Sequence, residues 1–233
     1  MPDEARARHR GSEGTRLCAL SDGAFAVAIG LLVVTLDPPT TWESFVRTLK
    51  SAPAIGACFA LVMWLWAEHR RFFRRTGLDD VYTVVVNTVL LFVVLFYVYP
   101  LKYMATLVIE EIFGLNPKEG FERPRMSSMA TLMQLYSAGF IAIFALFALL
   151  YRHAWRRREA LALDSLETFD IRSSLAACAI CMSIGALAAA IATVDASLTP
   201  IAGFSYFLLG PAMAAHGVLA GRRRERLEKS LSR

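Results

Sequence analysis

No HExxH, GxSxG or P-loop sequence occurs in the 233 residues. The loops gather no convincing set of nucleophile, acid and base, so the chain is not read as an enzyme. The motif of its first apolar run does not recur further on, and the chain reads as a single repeat unit. Secondary transporters usually carry internal repeats or helices broken at mid-membrane. Cysteine is scarce, at Cys18, Cys58, Cys178 and Cys181. The last two form a CxxC, but they lie inside an apolar segment without the further ligands that zinc usually needs. Small residues packing between helices account for them better than a metal or redox site. The first apolar run has no small-residue cleavage site before Asp37-Pro38-Pro39, so it reads as a retained span and not a signal peptide.

What is abundant is apolar sequence. Hydrophobic residues make up 56% of the chain and the mean hydropathy is +0.45, where soluble domains hold about 45–50% apolar residues. Six apolar runs lie near residues 20–36, 53–67, 81–107, 128–151, 173–194 and 198–220. A bilayer span needs about 20 residues. The second run is short, and its helix is expected to begin earlier, within WESFVRTLKSAP, where Arg47 and Lys50 can snorkel. The fold expected is an all-α membrane protein with six transmembrane helices per subunit. Residues 1–15 are read as a mobile N-terminal tail, 16–221 as the six-helix domain and 222–233 as a basic C-terminal tail.

The net charge is +5 and the pI about 9.2. A basic chain can signal nucleic acid, but these basic residues cluster at the ends of apolar runs, so a lipid bilayer is the partner expected and nucleic acid is not. Nineteen of the 25 lysines and arginines fall in the N-terminal stretch, the turn after run two, the loop after run four and the C-terminal stretch. The other six are Arg47, Lys50, Lys102, Lys118, Arg123 and Arg125. The bias alternates at every loop, which places both termini in the cytoplasm.

Polar residues stand inside the apolar runs. Ser21 and Asp22 open the first, with Arg16 just ahead. Either residue can cap a helix, or the pair can belong to a buried cluster. Trp66 and His69 are three apart near the end of run two and share a helix face. Asn87 lies in run three. All six map to the cytoplasmic half, where polar groups facing lipid must find partners. A hydrogen-bonded cluster fixing helix one against helices two and three is the economical arrangement. The alternatives are an interfacial belt residue for Trp66 and a solvated loop residue for His69.

The stretch RLCALSD (Arg16–Asp22) resembles the Arg-x-x-x-Phe-Ser-Asp signature of the transmembrane protein 175 potassium channels, with Leu20 in place of Phe. The likeness continues through GAFAVAIGLLVV, WLWAEHRRFF, NTVLLFVVLFYVYPLK and GFIAIFALFALLYRHAW. It implies a bacterial single-repeat member, in the inner membrane, assembled as a homotetramer with helix one lining a central pore. Monovalent cations would pass, potassium among them, with no cofactor and no TVGYG-type filter.

The resemblance further implies an apolar constriction at Val27, Leu31 and Val34, positions that share one helix face. On spacing alone these residues equally suit a face toward lipid or other helices. Family members often carry Thr eight residues after the Asp. Gly30 stands there and offers no hydroxyl, and Val27 is smaller than the usual Ile or Leu. Both departures imply potassium selectivity that is weaker or differently arranged. Asp37 reads equally as an outer cation ring and as an interfacial acid. A competing reading is a proton-coupled secondary transporter with Asp22 and His69 as its relay.

Overall fold

The computed structural model describes residues 14–34, 40–113 and 125–231. All regular structure among them is helical, and six helices are long and apolar enough to cross a membrane. The first five are α1 (Gly14–Val34), α2 (Trp42–Thr76), α3 (Val81–Phe113), α4 (Met126–Arg156) and α5 (Ser165–Val194). The sixth span is segmented. It runs through a 3₁₀ turn (Ala196–Leu198), α6 (Thr199–Ser205), a second 3₁₀ turn (Tyr206–Leu208) and α7 (Leu209–Leu231).

Local chemistry sets the helix ends. Thr41 caps α2 in a reciprocal box with Ser44, and Gly77 closes it in the left-handed conformation (φ 58°), its N–H reaching the Phe73 carbonyl. Asp164 and Glu167 form the same kind of box at the start of α5. The second helix does begin at Trp42, ahead of its apolar stretch. At 35 residues it is about 52 Å long, well beyond the ~30 Å hydrocarbon layer. Its arginine-rich end therefore projects past the acyl chains.

The six spans enclose one main core, which includes Phe25, Leu65, Phe72, Leu90, Phe140, Phe147 and Tyr151. The most extensive pairing is between α4 and α5. Small residues permit the closest approaches, as expected where lipid offers no hydrophobic drive. A Cβ on Gly139 would sit 2.5 Å from Tyr97 Cδ2, and one on Gly185 would sit 2.9 Å from Ile141 Cγ1. Cys178 and Cys181 are free thiols buried in this core.

Two sequence boundaries shift. Residues 1–13 of the expected tail lie outside the described residues, while Gly14 and Thr15 are already helical. Arg222 to Leu231 continue α7 instead of forming a separate tail. Arg224 Nε lies 3.3 Å from Asp170 Oδ1, and Arg75 Nη2 lies 3.2 Å from Oδ2. One carboxylate thus ties α2, α5 and α7 together.

Candidate pore helix and its polar anchor

Helix α1 packs on α2 and α3. Ser21, Phe25, Ala28 and Leu32 are buried; their 4–3–4 spacing makes a single stripe along the helix. Ser21 and Asp22 lie two turns inside a helix that starts at Gly14, so neither caps it. Polar pairing explains them instead.

The pairing forms a directional chain. Asn87 Oδ1 lies 2.8 Å from His69 Nε2. An amide oxygen only accepts, so Nε2 carries the hydrogen. Asn87 Nδ2 donates to Ser21 Oγ at 3.1 Å, and Ser21 donates to the Leu17 carbonyl at 2.8 Å. Ser21, His69 and Asn87 are 0%, 1% and 0% exposed, so no water competes. Beside this chain, Trp66 Nε1 donates to Asp22 Oδ1 at 2.7 Å. The Arg70 guanidinium lies 5.4 Å over the Trp66 ring. Phe25 meets the His69 ring edge-on at 5.4 Å, and Phe73 lies 4.7 Å from it. Ser21, Asp22, Trp66, His69 and Asn87 thus join three helices. Arg16 is exposed. Six residues before Asp22 on a continuous helix, it lies about 240° around the axis from it.

Opposite the buried stripe, α1 is bare. Val27 is 56% exposed. A Cβ added at Gly23 or Gly30 would meet nothing within 4 Å. Leu31 is half-buried at the edge of this face, where it packs against the core. The Val34 side chain and Asp37 lie outside the described residues.

A second polar layer went unnoticed in the sequence. Tyr151 donates to Glu68 Oε1 at 2.7 Å, and Arg71 reaches Glu68 Oε2 at 2.7 Å. Asp80 Oδ2 accepts from His153 at 2.7 Å and Arg157 at 2.8 Å, while Oδ1 takes the Thr83 N–H at 2.8 Å. Burial pushes the Asp80 carboxyl up, but the bonds from His153 and Thr83 prevail and hold it down at about 2. The partners in these pairs are 83 and 73 residues apart, and no local pattern announces such contacts.

A potassium channel of Marivirga tractuosa is 36% identical over 227 residues, covering 94% of this chain and 92% of that protein. The model of the endosomal/lysosomal potassium channel TMEM175 matches residues 16–97, a span that holds the whole polar anchor. The chain belongs to the TMEM175 family. A potassium channel of Chamaesiphon minutus is 28% identical over 158 residues, 61% of this chain and 66% of that protein. Among solved structures, a variant of the potassium channel MtTMEM175 bound to a nanobody–MBP fusion superposes with TM-score 0.75 at 34% identity, covering 89% of this chain and 93% of that one. A lysosomal potassium-selective channel TMEM175 homologue from Chamaesiphon minutus shares the fold at TM-score 0.61 and 22% identity, covering 90% of this chain and 98% of that one. Membership of TMEM175 makes this an integral membrane protein of a channel family, not an enzyme. The transporter reading is not favoured: Asp22 bonds to Trp66 and His69 to Asn87, two separate pairs and not one relay.

Proposed function

We propose that the chain is a potassium-permeable channel in which four copies of α1 surround an axis, bare face inward. The observation that carries this is the division of α1: a buried stripe anchored by Ser21 on one side, and an uncovered apolar face at Val27 and Gly30 on the other. Apolar faces on single-chain membrane proteins also meet lipid, but TMEM175 membership and the channel names of the relatives favour the axis. Val27, Leu31 and Val34 then form successive apolar rings with Gly30 between them.

Conduction in such a pore follows from dewetting. A narrow apolar ring is poorly hydrated, so an ion must shed water to enter. Potassium holds its hydration less tightly than sodium and meets the smaller barrier. Gly30 brings neither hydroxyl nor bulk. Selectivity therefore rests on the width and dryness of the rings rather than on side-chain oxygens. Asp37 copies at the outer mouth would concentrate cations. The alternating arginine bias supports cytoplasmic termini, and the bacterial relatives support the inner membrane as the location.

The test is reconstitution in liposomes, comparing potassium with sodium currents for the native protein and Val27→Asn. A polar ring wets the constriction, so conductance is expected to rise and the potassium preference to fall. Unchanged currents and selectivity would remove Val27 from the pore. Flux that saturates and follows a proton gradient would restore the transporter.

A further inference from the structure

We propose that the cleft between the start of α3 and the end of α4 binds a phosphate group, that of an anionic phospholipid headgroup. The cleft measures about 260 Å³ and is lined by Tyr82, Leu149, Arg152, His153 and Arg156. Its chemistry is ordered by depth along α4. Leu149 is an exposed apolar side chain, where an acyl chain would pass. Arg152 and Arg156 follow at the next two levels toward the basic end, one helical turn apart.

These two arginines differ from the basic residues around them. His153 and Arg157 are held by Asp80, and Arg158 stacks on Trp155 and reaches Glu159. Arg152 and Arg156 are exposed and, among the described residues, have no carboxylate partner. Two uncommitted guanidiniums on one helix face offer forked donors that match phosphate oxygens. The wall beside them is built: the Tyr82 ring lies 4.4 Å from the His153 ring, which its bond to Asp80 fixes in place. Tyrosine is also the side chain that favours the headgroup level. Basic pockets between spans on the arginine-rich side accept anionic headgroups. Asp80, the carboxylate that holds His153, is itself paired with Arg157 at 2.8 Å. A free phosphate ion shares the oxygen chemistry, but Leu149 and Tyr82 give it nothing to bury. The inference rests on the membrane setting of the chain and not on the pore.

Native mass spectrometry of the detergent-solubilised protein tests it, with phosphatidylglycerol and phosphatidylcholine of matched acyl chains offered together. Native protein should retain phosphatidylglycerol in preference by about tenfold or more, the scale that two interfacial guanidiniums supply. Arg152→Gln/Arg156→Gln should bring retention near parity, while Arg152→Lys/Arg156→Lys keeps part of the preference. Arg222→Gln/Arg223→Gln, which removes two charges on α7, should leave it intact. All three variants should elute with the native protein on gel filtration, since the altered side chains are exposed. A preference that survives Arg152→Gln/Arg156→Gln would overturn the site, as would an equal loss in Arg222→Gln/Arg223→Gln. Inorganic phosphate at millimolar concentration should not displace the lipid; displacement that depends on the same two arginines would overturn the lipid as the source.

Discussion

Asn87 is the hinge of the anchor, because it alone both accepts and donates between helices. Asn87→Leu leaves the His69 N–H and the Ser21 hydroxyl with a buried hydrophobic neighbour. The expected cost is about 1–3 kcal/mol, read as a lower thermal midpoint in detergent. Trp66→Phe removes one bond to a carboxylate that water can reach, and should cost only about 0.5–1.5 kcal/mol. Asp80 contributes differently. Its carboxyl is depressed from 3.8 to about 2, so its contribution is complete above about pH 4 and is lost as the pH falls through about 2. Asp80→Asn should flatten that part of the stability profile in acid unfolding followed by tryptophan fluorescence. Ser21, Asp22, Trp66 and Asn87 were legible because each is a polar-tipped side chain inside an apolar run, where lipid leaves it no alternative to a protein partner; His69, just past its run, was legible only through the helix face it shares with Trp66. Glu68 with Tyr151 and Asp80 with His153 were not legible. They sit at the span ends, where charged residues are ordinary and distant partners leave no trace in local spacing.

At the scale of the helices, glycine marks two opposite situations. Gly139→Ala places a methyl inside the Tyr97 ring's space, and the overpacking should destabilise the protein by about 1–3 kcal/mol. Gly30 faces nothing within 4 Å, so Gly30→Ala should instead strengthen α1 by about 0.5–1 kcal/mol. Thermal unfolding of the two variants side by side checks both signs. The six spans followed from hydropathy and from the alternation of basic loops. The early start of α2 within WESFVRTLKSAP was also expected, but the start of α1 was not, because it lies in polar sequence that hydropathy discounts; Gly14 precedes the apolar run by nearly two turns. The segmentation of the last span was missed for a related reason. Its apolar count stays high through residues 196–211 although Pro200, Gly203, Gly210 and Pro211 crowd the same stretch.

For the whole assembly, the proposed axis makes a geometric demand: only residues on the bare face of α1 meet their copies. Oxidation of Val27→Cys should therefore give covalent dimers on a non-reducing gel, whereas Leu149→Cys, assigned to the lipid side of α4, should stay monomeric. Equal behaviour of the two would count against the axis. The grip on α1 is also uneven along its length. Hydrogen bonds at Ser21 and Asp22 tie its inner part to α2 and α3, while beyond Phe25 the side chains Ala28, Ile29, Leu31 and Leu32 pack against the apolar core. Such a rod has a polar pivot at one end and purely apolar side-chain packing toward the other. From Asp22 to Val34 it reaches about 18 Å, so a swing of about 10° at the pivot carries the tip about 3 Å. That displacement is comparable to the width of a water molecule, so in the proposed pore slight repacking around His69 would have the leverage to wet or dry the far rings.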